Sequence, residues 1–99
     1  MTGPEHSQQA EDMAFRVAAR RNRLLGQWAA QQMELTPEET DAYAKECVQA
    51  EFEESGDEDV IRKILGDLTS AGCEFDEAGV RAALEEKNVE ARRQLMGES

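Results

Sequence analysis

Apolar positions recur along this chain at helical spacing, in four successive stretches. At about 100° per residue, Val17, Leu24, Trp28 and Leu35 fall on one line, with Ala14 and Leu25 beside it. The pattern predicts an amphipathic helix over Asp12–Glu34 that turns this stripe to a core. Tyr43, Ala44, Cys47 and Val48 share one face of a second segment, and Val60, Ile61, Ile64, Leu65, Leu68 and Ala71 stripe a third. Val80, Leu84, Ala91 and Leu95 line a fourth. Lys87 interrupts that stripe, so the last helix is expected to fray towards Met96.

Boundary residues sharpen the division. Thr36, Pro37 and Glu39 have the order of a capping box with proline at the first helical position, so the second helix opens there and ends near Ser55. Gly56 is placed to close it through a left-handed conformation, and Gly72 is the stop of the third. Asp57, Glu58 and Asp59 supply negative charge at the start of the third helix, as Glu11 and Asp12 do for the first. Asp76, just after Phe75, is the N-cap of the fourth. Gly26 lies inside the first helix at a cost of roughly 1 kcal/mol relative to alanine, which reflects either a close helix approach or plain tolerance. Connections this short set neighbouring helices antiparallel. The expected fold is all-α: a small four-helix bundle over residues 11–99, preceded by a disordered N-terminal arm over residues 1–10, which have no apolar periodicity.

Composition narrows the function classes. Among 99 residues only five are aromatic, so leucine, valine, isoleucine and alanine must build the one core a chain of this size affords. The net charge of −11 argues against nucleic acid as the main partner and against an anionic membrane surface. No apolar run approaches the ~20 residues of a membrane span, and the start has no hydrophobic signal segment. A cytoplasmic protein, monomeric when free, is expected. Cys47 and Cys73 form no CxxC, and in a reducing compartment they read as small buried hydrophobes rather than a disulfide.

Charge is segregated along the chain. From Arg16 to Arg23 there are four cations and no anion, whereas from Glu38 to Asp59 there are ten acids against Lys45 alone. Arg16, Arg20 and Arg23 fall on one face of the first helix, next to its apolar stripe. Such a strip is either a solvated face or a surface for a complementary partner. Arg21 and Glu51 lie inside apolar stripes. An antiparallel hairpin turning about Thr36 sets them opposite each other, along with Leu24 against Val48 and Trp28 against Ala44. That register predicts a partly buried Arg21–Glu51 ion pair.

The chain shows no catalytic constellation. The acidic run Glu51–Asp59 lacks the alternating ligands and closing glutamate of a calcium-binding EF-hand loop. The single histidine, His6, lies in the arm, so Glu-x-x-His metal pairs and Cys/His or Ser/His/Asp arrangements are excluded; no phosphate-binding glycine loop appears. The chain is read as a non-enzyme without metal or cofactor: an interaction domain with a mobile arm.

The blocks ARRNRLLGQWAA and AYAKECVQAEFEESGDEDVIRKI, Ala42–Ile64, resemble the zeta subunit of the α-proteobacterial F-type ATP synthase. The resemblance spans Glu11 to Leu95 and is dense from Phe15 to Ile64. It implies a four-helix bundle that binds the catalytic head of the enzyme, peripheral to the membrane. In that family an N-terminal segment enters a catalytic interface, becomes helical and inhibits ATP hydrolysis. Glu11, Asp12, Phe15 and Arg16 are the first positions that match. With Arg20 and Arg23 of the basic strip they form the expected inhibitory, partner-binding set. Ahead of Glu11 the family's segment is rich in Phe, Lys and Arg, whereas MTGPEHSQQA has no aromatic residue and no basic one except His6. Inhibition is therefore expected to be weakened or lost. The competing expectation is an adaptor module built on the same bundle but no longer an ATP synthase inhibitor.

Overall fold

A computed structural model describes residues 3–53 and 57–97 of the chain, with side chains over 13–50 and 57–97. Four helices follow one another: α1 over Gly3–Gln32, α2 over Pro37–Glu53, α3 over Asp57–Ser70 and α4 over Glu77–Leu95. The described residues include no strand. This is the expected four-helix bundle, with α1 as its axis, packed first against α2, then α4, and least against α3.

The local boundary signals hold. The Thr36 N–H donates to Glu39 Oε1 at 2.9 Å and the Glu39 N–H donates to Thr36 Oγ1 at 3.1 Å, which completes the capping box. Asp76 accepts from the Gly79 N–H at 2.9 Å and caps α4. Gly72 adopts φ +85°, and the Cys73 N–H turns back to the Leu68 carbonyl at 2.9 Å. The same closure ends α1, where the Leu35 N–H reaches the Ala30 carbonyl at 3.0 Å, but there Glu34 occupies the left-handed position at φ +59°. Because of this turn α1 stops at Gln32, short of the expected Glu34. Gly56, the expected stop of α2, lies outside the described residues.

At its other end α1 differs more from expectation. Its backbone is helical from Gly3, nine residues before the expected start at Asp12. Extending an existing helix costs no new nucleus, so turns with nothing to bury can continue it and still fray in solution.

The core consists of Leu25, Ala29, Ala30, Tyr43, Cys47, Val60, Ile61, Ile64, Leu68, Val80, Ala83 and Leu84. The stripes expected for α2, α3 and α4 supply most of it, although Ala71 is exposed. The buried face of α1 includes Val17 and Leu25 as expected, but its centre is rotated from the expected line by roughly a third of a turn. Asn22, Leu25, Gly26, Ala29 and Ala30 are buried, whereas Leu24 and Trp28 are only half-buried. Trp28 packs edge-on against Phe75 with ring centroids 5.2 Å apart. The rotation follows from α1 touching three helices at once, which buries small residues that a hydropathy pattern underweights. Gly26 shows why. A Cβ there would meet Ala44 Cα and Cys47 Sγ at 3.0 Å, so close helix approach is the reason for this glycine.

Gly26 against Ala44 and Cys47 agrees with the expected hairpin register to within a turn. The side chain of Glu51 lies outside the described residues, and with it the expected Arg21–Glu51 pair. Among the described residues Arg21 holds Asp57 at 3.0 Å and donates from Nε to Asn22 Oδ1 at 3.0 Å. Asn22, fully buried, donates onward to the Cys47 carbonyl at 3.2 Å. One buried polar chain thus ties α1 to the backbone of α2 and the start of α3.

Candidate partner-binding surface

Four of the six residues expected to meet a partner come together on one face of α1. Phe15, Arg16, Arg20 and Arg23 line a shallow groove with Ala19 of the same helix. Their spacing is the reason: positions four apart stack along a helix, and Phe15, Ala19 and Arg23 form one such row beside Arg16 and Arg20. Val48 of α2 and Leu95 of α4 complete the floor on either side. Glu11 and Asp12 lie in the same helix, one turn ahead of Phe15 and Arg16, and their side chains lie outside the described residues.

The groove has an apolar floor and a cationic rim. Phe15 is 45% exposed, an unusual placement for a large aromatic side chain in a chain with so few. Arg20 donates to the neutral Gln94 Oε1 at 2.7 Å, which joins α1 to α4. Among the described residues no carboxylate lies within ion-pair distance of Arg16, Arg20 or Arg23, even though acids outnumber bases 22 to 11. By contrast Arg21, Lys63 and Arg81 each hold a carboxylate at 3.0 Å or less, although Arg92 and Arg93 of α4, like the strip, have none within ion-pair distance among the described residues. A second groove, between α1 and α4, is floored by Met13, Val17 and Met96, and its Arg21 is already committed to Asp57.

The other polar clusters hold helices together. The Tyr43 hydroxyl donates to Asp67 at 2.7 Å, while Lys63 lies 5.0 Å from the centre of the Tyr43 ring and bridges Asp67 and Glu46. Burial, then the Asp67 hydrogen bond, raises the Tyr43 phenol far above its ordinary range. Burial also pushes the Cys47 thiol up to about 12, so neither group is a nucleophile at neutral pH. Hydrogen bonding to Arg81 lowers the Glu58 carboxyl and joins the start of α3 to α4. Cys47 and Cys73 are both free thiols, and the Cys73 thiol donates to the Gln32 carbonyl at 3.3 Å. Among the described residues no group of three or more His, Cys, Asp or Glu is placed to hold a metal ion. No described helix is long and apolar enough to cross a membrane. Lys87, the break in the α4 stripe, is half-buried and reaches Glu90 at 3.4 Å.

The apolar pattern places Val48 and Leu95 in core stripes and gives Ala19 no role. Nothing in their local sequence marks them as floor, because the groove exists only where three helices meet.

Comparison with known proteins adds to this picture. No curated protein matches the chain. A structure solved by solution NMR is 47% identical in sequence, with a TM-score of 0.75, over 88% of this chain and 99% of that one. A likeness of that extent means that the two chains share one fold over most of their length. The family described as ATPase inhibitor subunit zeta matches residues 5–94, a span that reaches into all four helices and holds every lining residue of the arginine-rimmed groove except Leu95. By a match over nearly its whole length, the chain belongs to the ATPase inhibitor subunit zeta family.

Proposed function

We propose that this chain is a non-catalytic regulatory subunit that binds the catalytic head of an F-type ATP synthase and restrains ATP hydrolysis. The family match over residues 5–94 carries this reading. The contact set is Glu11, Asp12, Phe15, Arg16, Arg20 and Arg23, and its support is the groove that gathers the last four. The N-terminal turns of α1 would lead into the catalytic interface, with the bundle behind them as a stop. An arm that orders on binding spends part of its interaction energy on that ordering, which suits a reversible brake. The segment before Glu11 offers no aromatic anchor and no lysine or arginine, so this chain is a weak inhibitor.

The test adds the purified chain to the isolated catalytic head and follows ATP hydrolysis, with a pull-down of native ATP synthase by the tagged chain in parallel. Association with weak inhibition is expected, and fusing a typical family N-terminus in front of Glu11 should strengthen the inhibition. Full potency of the unmodified chain would overturn the weak-inhibitor reading. The composition of the arm also favours a second reading, an adaptor that has left the enzyme, and failure of the pull-down would establish it over the first.

A further inference from the structure

We propose that the groove between α1, Val48 and Leu95 receives an acidic amphipathic helix of the partner protein. The inference rests on the reading above for which molecule carries that helix, but the chemistry is set by the groove itself.

The first observation is unspent charge. In a chain of net charge −11, Arg16, Arg20 and Arg23 sit side by side with no carboxylate in ion-pair distance among the described residues. Among the described residues the surplus of acids leaves these three arginines unpaired. The second is geometry. With a rise of about 1.5 Å per residue, Arg16 and Arg20 are roughly 6 Å apart along α1, and Arg23 lies roughly 4.5 Å further on. A row of that length matches carboxylates at i, i+4 and i+7 of a helix lying along α1. It does not converge on a point, as the donors around a single phosphate would.

The third observation is the floor. Phe15, Ala19, Val48 and Leu95 present apolar surface beneath the cations, and Ala19 is small enough to let a second backbone approach. That surface calls for leucine-like side chains on the ligand, which neither a nucleic acid nor a lipid headgroup supplies. Overall charge points the same way. An extended polyanion would meet the acids of the whole surface. A short acidic helix feels mainly the arginines within a Debye length of about 8–10 Å.

The experiment titrates the 15N-labelled full chain with a synthetic end-capped helix of about 18 residues that carries a glutamate edge beside a leucine stripe. Amide shifts centred on Phe15, Ala19, Val48 and Leu95 are expected, with affinity falling at least roughly tenfold in the Arg16→Glu/Arg23→Glu variant and falling with added salt. Arg20 stays in place because its bond to Gln94 joins two helices. Circular dichroism confirms that the variant is folded. Absence of binding, shifts centred elsewhere, unchanged affinity in the variant, or equal binding of a lysine-edged peptide would overturn the proposal. So would the same footprint produced by inorganic phosphate, by anionic phospholipid vesicles or by the chain's own concentration while the peptide stays silent. Binding of wild type and variant to the isolated catalytic head separates the two readings. Equal binding by both removes the groove from docking. A wild type that ignores the head but binds the peptide leaves the groove standing and removes the ATP synthase reading.

Discussion

Arg21, 8% exposed at its side chain, meets the half-exposed carboxylate of Asp57 at 3.0 Å, so a residue of α1 holds the first turn of α3. Its Nε is also spent on Asn22, which in turn bonds the Cys47 carbonyl. Removing the guanidinium therefore breaks a chain rather than a pair. Arg21→Ala is expected to cost about 2–3 kcal/mol, below the full cost of breaking a buried pair because Asp57 remains hydrated. Asp57→Asn should cost about 1 kcal/mol or less, since an amide oxygen still accepts. Urea unfolding of the two variants and their double mutant measures the coupling, and additive effects would refute the link.

Gly26 opposes intrinsic propensity. An exposed helical glycine gains up to about 1 kcal/mol on replacement by alanine. Here the new methyl would press on Ala44 Cα and Cys47 Sγ at 3.0 Å. Gly26→Ala is expected to destabilise by about 1–3 kcal/mol as α1 and α2 are pushed apart. A thermal midpoint at or above that of wild type would refute the close approach.

Glu34 is the opposite case. At φ +59° it holds the left-handed position that glycine holds at Gly72 with φ +85°. Glu34→Gly is expected to stabilise the chain by about 1 kcal/mol, because the strain relieved exceeds the added freedom of the unfolded chain. Gly72→Ala should cost a similar amount. Denaturant midpoints of both variants check the pair.

Cys47 and Tyr43 predict an alkaline weakness. The unfolded thiol ionises near pH 8.5, whereas burial holds the folded one protonated to about 12. Between those values the unfolded chain has fewer bound protons than the folded one, so stability falls as pH rises, by up to about 1.4 kcal/mol per unit. Tyr43, also raised by burial, adds to the fall above about pH 10. Below pH 8 neither group contributes. Cys47→Ala should flatten the decline between pH 9 and about 10, read by urea unfolding at each pH. An unchanged slope would refute the assignment.

The first turns of α1 predict a gradient of order. Residues 3–10 continue the helix but have no apolar periodicity to bury, so fraying costs little there. Backbone 15N order parameters should fall progressively from Met13 towards Gly3, while 17–32 remain rigid. Uniformly rigid values to Gly3 would refute the arm as an element that orders on binding.

What the amino-acid sequence by itself determined was local. The capping box at Thr36 and Glu39, the cap at Asp76 and the stop at Gly72 each depend on residues three to five apart, and each was legible before any tertiary contact was known. The stripes of α2, α3 and α4 were legible because each faces essentially one side of the bundle. The family was legible in the contiguous blocks of α1 to α3. Tertiary structure decided the rest. α1 touches three helices, so its buried face widened to Asn22, Gly26, Ala29 and Ala30 and turned away from the line through Leu24 and Trp28. Asp57 is one partner of Arg21 because the entry of α3 brings it there. Phe15 and the arginines were visible in the sequence as a strip. They became a groove only because Val48 and Leu95, distant in sequence, close its floor from two other helices. Short-range hydrogen bonds are set by spacing along the chain. Which face is buried, and which charge is left unpaired, is set by what the other helices bring alongside.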